Sequence, residues 1–205
     1  MFLNFIWDFD GTLYDSYPHM AESFCKALSA LGIDQSVADI MPFIKISMGT
    51  CMRHYKAKYN LGEELRELYK KFEAPVNCDV VRPFPGLEEA LGLISSKGGK
   101  NYIYTHRNNS VFEYIRCYSL DKYFDDIITS EDNFPSKPAP DAILYLIEKH
   151  NLDKDKTIMM GDRDIDIQAA WKAGIKGCLF DPDNFYPDFR ADYSIKSMSE
   201  IAKLL

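Results

Sequence analysis

Two aspartates two residues apart, at the end of an apolar run, are the residues best placed to do chemistry: Phe5-Ile6-Trp7-Asp8-Phe9-Asp10-Gly11-Thr12. Phe5 to Trp7 reads as a buried strand, and a glycine turn and a hydroxyl follow the carboxylates. Burying one carboxylate beside another is costly unless something offsets the charge, and a hard cation with oxygen ligands does so most directly. If strand geometry continues, Asp8 and Asp10 share one face and Phe9 takes the other. Asp-Gly is also common turn punctuation, so the pair alone leaves an ordinary strand-end turn open.

The elements that would position these carboxylates follow from the apolar spacing. Tyr102-Ile103-Tyr104, Ile127-Ile128, Thr157 to Met160 and Gly177 to Phe180 read as short buried strands. Helical spacing separates them: Leu87, Ala90, Leu91 and Ile94; Val111, Phe112 and Ile115; Ile143, Leu144 and Ile147; and Ile165 to Ala173, closed by Gly174. Met198, Ile201 and Leu205 predict a terminal helix. Such alternation predicts an α/β fold, a Rossmann-like, doubly wound and mostly parallel sheet covered on both faces. Ligands in such sheets sit beyond the carboxyl ends of the strands, near a topological switch point. Asp8 and Asp10, Thr105 and Asp162 fall at three such ends, and Lys137 lies in the loop after a fourth strand.

Residues 17–80 have a different pattern. Met20, Phe24, Leu28 and Leu31 recur at helical spacing, Ile44, Met48, Met52 and Tyr55 trace a second stripe, and Leu65, Leu68 and Phe72 a third before Pro75. Nothing there reads as a strand. Val80 to Gly86, with two prolines and a glycine, marks a boundary. The expected organisation is a core of residues 1–15 plus 82–205, interrupted by a compact all-helical insertion at 16–81.

Composition excludes several classes. The chain has 205 residues, 46% hydrophobic and 27% charged, with a net charge of −7. No basic run is present, so a nucleic acid partner is not expected. No apolar run reaches membrane-spanning length, and the N-terminus, lacking a basic segment, does not read as a signal peptide. Five scattered cysteines without metal-ligand spacing fit reduced thiols in a cytoplasmic protein. A monomer or homodimer with no membrane partner is expected. Trp7 and Trp171 read as core residues.

Asp8-Phe9-Asp10-Gly11-Thr12, Thr105, Lys137-Pro138-Ala139-Pro140 and Gly161-Asp162-Arg163-Asp164-Ile165-Asp166 closely resemble the four ordered motifs of the haloacid dehalogenase superfamily. The helical insertion after the first motif resembles the cap of the subfamily holding phosphoglycolate phosphatases and β-phosphoglucomutases. The resemblance implies a Mg²⁺-dependent phosphatase that hydrolyses a small phosphorylated metabolite through an aspartyl-phosphate. It casts Asp8 as nucleophile and Asp10 as general acid and base, with Thr105 and Lys137 on the transferring phosphoryl group. Mg²⁺ would sit among Asp8, Asp162 and the backbone carbonyl of Asp10, supported by Asp166. Gly11 and Thr12 join the phosphate-binding set by the same resemblance. A sugar-phosphate mutase would use the same two aspartates, and a receiver-like phospho-acceptor is a remoter alternative.

Two departures from that pattern stand out. The second motif more usually places Asn after its hydroxyl residue, whereas His106 and Arg107 follow Thr105 here. Both become candidates for substrate contact, with pairing of Arg107 to a core acid such as Glu113 as the competing reading. Arg163 replaces the frequent Ser of the fourth motif and is expected to pair with Asp164 or Asp166. In the cap, Lys45, with Ser47 and Arg53 nearby in sequence, is a candidate for reaching a bound anion.

Overall fold

The computed structural model describes residues 1–205, which divide into two compact units, Met1–Tyr14 with Pro83–Leu205, and Asp15–Arg82. In the first unit six strands form one sheet: β1 (Asn4–Trp7), β4 (Lys100–Tyr104), β5 (Phe124–Ile128), β6 (Thr157–Gly161), β7 (Lys176–Phe180) and β8 (Tyr193–Ile195). Their order is β5-β4-β1-β6-β7-β8, and every adjacent pair is parallel. Two-residue strands β2 (Tyr14–Asp15) and β3 (Arg82–Pro83) pair separately where the chain passes between units.

A parallel sheet needs both faces covered, so its inner strands read as continuous apolar runs rather than alternating ones. Phe5, Ile6 and Trp7 are all fully buried, as are Ile158, Met159 and Met160. On one face Ile6, Tyr102, Tyr104, Ile128 and Met159 pack with Ala142, Ile143 and Leu146 of α7 (Asp141–His150), and with Ala169, Ala170 and Ala173 of α8 (Asp164–Ala173). The three alanines keep that helix close to the sheet, and Gly177 has no room for a side chain against Ile167. The other helices of this unit are α5 (Leu87–Ser96) and α6 (Ser110–Cys117). Edge strand β5 carries Asp125 and Asp126, the latter bound by Lys149 and His150. Charge on an open edge discourages pairing with another chain.

The C-terminal helix is a six-residue 3₁₀ helix, Met198–Lys203, with Met198 and Ile201 buried as their spacing implied. Strand β8 carried no sequence signal, being only three residues long with two of them exposed. Trp7 is core, its Nε1 donating to Asn101 Oδ1 at 3.0 Å. Trp171 is 44% exposed, donates to Asp192 Oδ2 and stacks on Phe189. Cys25, Cys51 and Cys178 are free thiols.

The second unit consists of α1 (Tyr17–Ser29), α2 (Val37–Ile46), α3 (Met48–Tyr59) and α4 (Glu64–Glu73), with no sheet of its own. Phe24, Leu28, Ile40, Ile44, Tyr55 and Leu65 are among its fully or nearly buried core. The stripe from Ile44 to Tyr55 is two helices rather than one. Ser47 is fully extended (φ −174°, ψ 152°), and its hydroxyl accepts the Thr50 N–H, capping α3. Capping competes with helix continuation at serine, and here the cap prevails. No helix of the chain is long and apolar enough to cross a membrane.

Candidate active site

The site collects where the sheet order reverses around β1. Asp8 follows β1, and its N–H donates to Met160 O at 2.8 Å, so the ladder to β6 fixes it. Thr105 follows β4, its N–H bonded to Ile128 O of β5 at 3.0 Å. Asp162 follows β6, and Asp166 lies in the first turn of α8. Lys137 comes from the loop before α7. Residues separated by more than 150 positions are thereby brought to one end of one sheet.

Lys137 and three acids define the centre. Lys137 Nζ lies 2.8 Å from Asp166 Oδ1 and 2.9 Å from Asp8 Oδ1, with the lysine side chain wholly buried. Its ammonium also stands 4.6 Å from the Tyr104 ring centroid, a cation–π contact that sequence reading missed. Asp166 spends its second oxygen on the Arg163 N–H, 3.1 Å away, which caps α8. Gly161 makes this fit possible, since a Cβ there would overlap the Asp166 side chain. Burial pushes the Asp8 carboxyl above its ordinary range, Lys137 pulls it back, and Asp166 raises it again. Burial alone would lower the Lys137 ammonium, but Asp166 and Asp8 hold it above its ordinary range.

Whether a divalent metal fits can be asked of the oxygens themselves. Asp8, Asp162 and Asp166 each place a carboxylate oxygen within 4.8 Å of the others. Asp8 Oδ2 is buried and has no hydrogen bond, an unusual and costly state for a carboxylate oxygen. The Asp166 oxygens are both engaged, by Lys137 and by the Arg163 N–H. This all-oxygen donor set, in which Asp8 Oδ2 makes no hydrogen bond and faces only a guanidinium at 3.6 Å, suits Mg²⁺.

Thr105 Oγ1 accepts the Arg107 N–H at 3.0 Å, which leaves its own hydrogen to donate. Thr12 donates to Asp162 Oδ1 at 3.3 Å. The Gly11 N–H is committed to Tyr14 O, and the residue supplies a turn at φ +77°. His106 Nε2 accepts the backbone N–H of Lys137 at 3.0 Å. Desolvation of the ring and the Lys137 charge push that imidazole down to about 4, although the residue as a whole is exposed to solvent, which weakens the effect. Arg163 turns its guanidinium toward Asp8 Oδ2, 3.6 Å away, instead of the expected Asp164 or Asp166. Only its backbone meets Asp166. Lys45 stands in the last turn of α2, within the other unit.

Arg107 grips Asp10 rather than Glu113. Its Nε reaches Oδ1 and Oδ2 at 3.0 and 3.2 Å, and its Nη2 reaches Oδ1 at 2.8 Å. The guanidinium carbon lies 5.6 Å from the Phe9 ring centroid and 5.3 Å from that of Tyr114.

A parallel α/β sheet whose strand ends converge a buried lysine, a hydroxyl and clustered carboxylates defines a class built to handle an anionic group beside a cation. The haloacid dehalogenase-like hydrolase family model matches residues 5–180, and the chain belongs to that family of enzymes. It is 31% identical to a phosphoglycolate phosphatase of Vibrio parahaemolyticus over 180 residues, 82% of this chain and 78% of that one. Pyrophosphatase PpaX of Listeria welshimeri is 24% identical over 208 residues, covering 98% and 94%. A hydrolase from Streptococcus pneumoniae TIGR4 superposes with a TM-score of 0.66 at 32% identity, covering 87% of this chain and 92% of that one.

Proposed function

We propose that the protein is a Mg²⁺-dependent phosphatase that hydrolyses a small phosphorylated metabolite through an aspartyl-phosphate on Asp8. One observation carries this reading. Asp8 is buried with Oδ1 on Lys137 and Oδ2 without a hydrogen bond, inside an acidic cluster at the end of a parallel strand. A carboxylate in that state is arranged to be a nucleophile or a ligand, and its surroundings are arranged for a phosphoryl group. Relatives named as a phosphoglycolate phosphatase and a pyrophosphatase support the class of reaction.

The chain's own residues divide the work. An oxygen of Asp8 forms a bond to phosphorus as the bond from phosphorus to the leaving oxygen breaks, and Asp10 gives that oxygen its proton. Asp10 then takes a proton from water, whose oxygen attacks the same phosphorus and releases phosphate and free Asp8. Thr105 donates its hydroxyl hydrogen to the phosphoryl group, and Lys137 supplies a positive charge beside the nucleophile. Asp8, Asp162 and the Asp10 carbonyl would hold Mg²⁺, with Asp166 orienting its neighbours; when bound, the ion neutralises charge on the phosphoryl oxygens.

Phosphate release from a panel of phosphomonoesters, with and without Mg²⁺, tests the reading. Turnover should require Mg²⁺ and vanish in Asp8→Asn, which keeps the shape and removes the nucleophile. An Asp8→Asn protein that still hydrolyses the preferred ester would overturn the covalent route.

A further inference from the structure

We propose that Arg107 is a positioning residue that fixes the Asp10 carboxylate for its attack on the water proton, rather than a residue that reads the leaving group. The inference rests on the phosphatase reading above, specifically on Asp10 as the base. The two aspartates of this turn are held differently. Asp8 is clamped by the β-ladder and Lys137, but Asp10 follows Phe9 beyond the end of β1, outside the six-stranded sheet and paired through a single isolated bridge to Tyr14. Gly11 then reverses the chain at φ +77°. A single backbone bridge does not set the direction of the side-chain carboxylate, so a base on this turn needs a further contact.

Arg107 supplies it. Three contacts between 2.8 and 3.2 Å, from two guanidinium nitrogens to both carboxylate oxygens, fix the plane as well as the position of the Asp10 group. The arginine is fixed in its turn. Its side chain is 6% exposed, packs against Phe9 and Tyr114, and its Nη1 lies 3.5 Å from Ser110 Oγ at the start of α6. Its backbone is bound on both sides, the N–H to Thr105 Oγ1 and the carbonyl to the Ser130 N–H. The same residue thus ties the phosphoryl-facing hydroxyl of Thr105 to the carboxylate of Asp10. A guanidinium committed to one carboxylate by both oxygens is poorly placed to recognise a second on a substrate. It is well placed to keep the first aimed at a bond that changes with every turnover.

Dephosphorylation of the aspartyl-phosphate is common to all substrates, so the proposal predicts a defect that ignores the leaving group. The experiment forms labelled phosphoenzyme from p-nitrophenyl phosphate, adds excess unlabelled substrate and follows decay of the label. Arg107→Met should slow that decay about tenfold to a hundredfold, the scale of a base displaced by around an ångström. Formation of phosphoenzyme from this good leaving group, which needs little protonation, should change far less. Arg107→Lys, which keeps the charge and loses the planar fork, should fall between the two and also cover the case of an unfolded methionine variant. In an Asp10→Asn background either substitution should leave the decay rate unchanged within about twofold, because the group it positions is gone.

Full multiplicative losses in the Asp10→Asn background would overturn the proposal. So would a loss confined to KM for substrates carrying a second anion, which would assign Arg107 to the leaving group. If Asp10→Asn itself leaves decay as fast as in the wild type, the base reading of Asp10 has failed, and the Arg107 comparison shows this separately.

Discussion

Lys137 and Asp166 form an ion pair at 2.8 Å with no exposed side-chain surface on either partner. Such pairs contribute little net stability when intact, yet breaking one is expensive because the remaining charge is left buried. Lys137→Met would leave two carboxylates, Asp8 and Asp166, facing each other without their shared cation. Loss of about 3–5 kcal/mol is expected, from the general cost of orphaning a buried charge. Asp166→Asn should cost less, since Lys137 keeps Asp8 at 2.9 Å. Chemical denaturation of both variants without metal gives the ranking. Added Mg²⁺ should raise the midpoint of Lys137→Met more than that of the wild type, because a second cation then answers the same carboxylates; no difference would count against a metal site here.

Gly161 should tolerate no side chain. It ends β6 with the Asp166 side chain lying where a Cβ would project. Gly161→Ala must therefore displace Asp166, and with it the Lys137 contact. Overpacking of this kind costs about 1–3 kcal/mol, and activity should fall with stability. Gly174→Ala makes a control: its added carbon meets nothing nearer than Lys154 Nζ at 3.6 Å, but its φ of +78° imposes backbone strain. Gly174→Ala should lower the thermal midpoint and spare the rate per folded molecule.

The sheet was legible because each inner strand is a short run of buried residues closed by a polar one, as in Ile6-Trp7-Asp8 or Met160-Gly161-Asp162. The convergence of Asp8, Thr105, Lys137 and Asp162 was legible for the same reason: a parallel sheet brings its strand ends together whatever the sequence distance. What stayed hidden depends on where one side chain reaches. Arg163 was expected on its helix neighbours, yet its guanidinium extends to Asp8 while only its backbone serves Asp166. Arg107 was placed at the right strand end with the wrong acid as its structural partner. The break at Ser47 was also hidden, because hydrophobic spacing continues through it and only the serine's capping ability marks the interruption.

That break supplies a prediction for the helical unit. Ser47 Oγ accepts the Thr50 N–H at 3.0 Å and lies 2.9 Å from Thr50 Oγ1, while Arg53 Nη2 donates to the same threonine hydroxyl. Ser47→Ala removes the cap of α3 and should cost about 1 kcal/mol. Ser47→Asp, which keeps an acceptor and adds charge at a helix N-terminus, should recover most of it. Thermal melts of the three proteins decide this; an aspartate variant no better than alanine would mean that the hydroxyl pair with Thr50 matters more than the cap.

His106 gives the stability a pH dependence of defined sign. Its Nε2 accepts the Lys137 N–H, so the ring must be neutral there and carry its proton on Nδ1. Burial and the neighbouring ammonium lower it from 6.5 to about 4. Between those values the unfolded chain binds a proton that the folded protein refuses, so stability rises with pH across the interval. The contribution is therefore intact above about 6.5 and is lost as pH falls toward 4, and it is reduced in size because the residue is exposed to solvent. His106→Asn keeps a side-chain acceptor within reach of that N–H and removes the titration. Melting temperatures measured from pH 7 down to pH 4.5 should decline more steeply for the wild type than for His106→Asn, since both share every titrating carboxylate. Parallel declines would show that the imidazole does not hold the Lys137 loop in its neutral form.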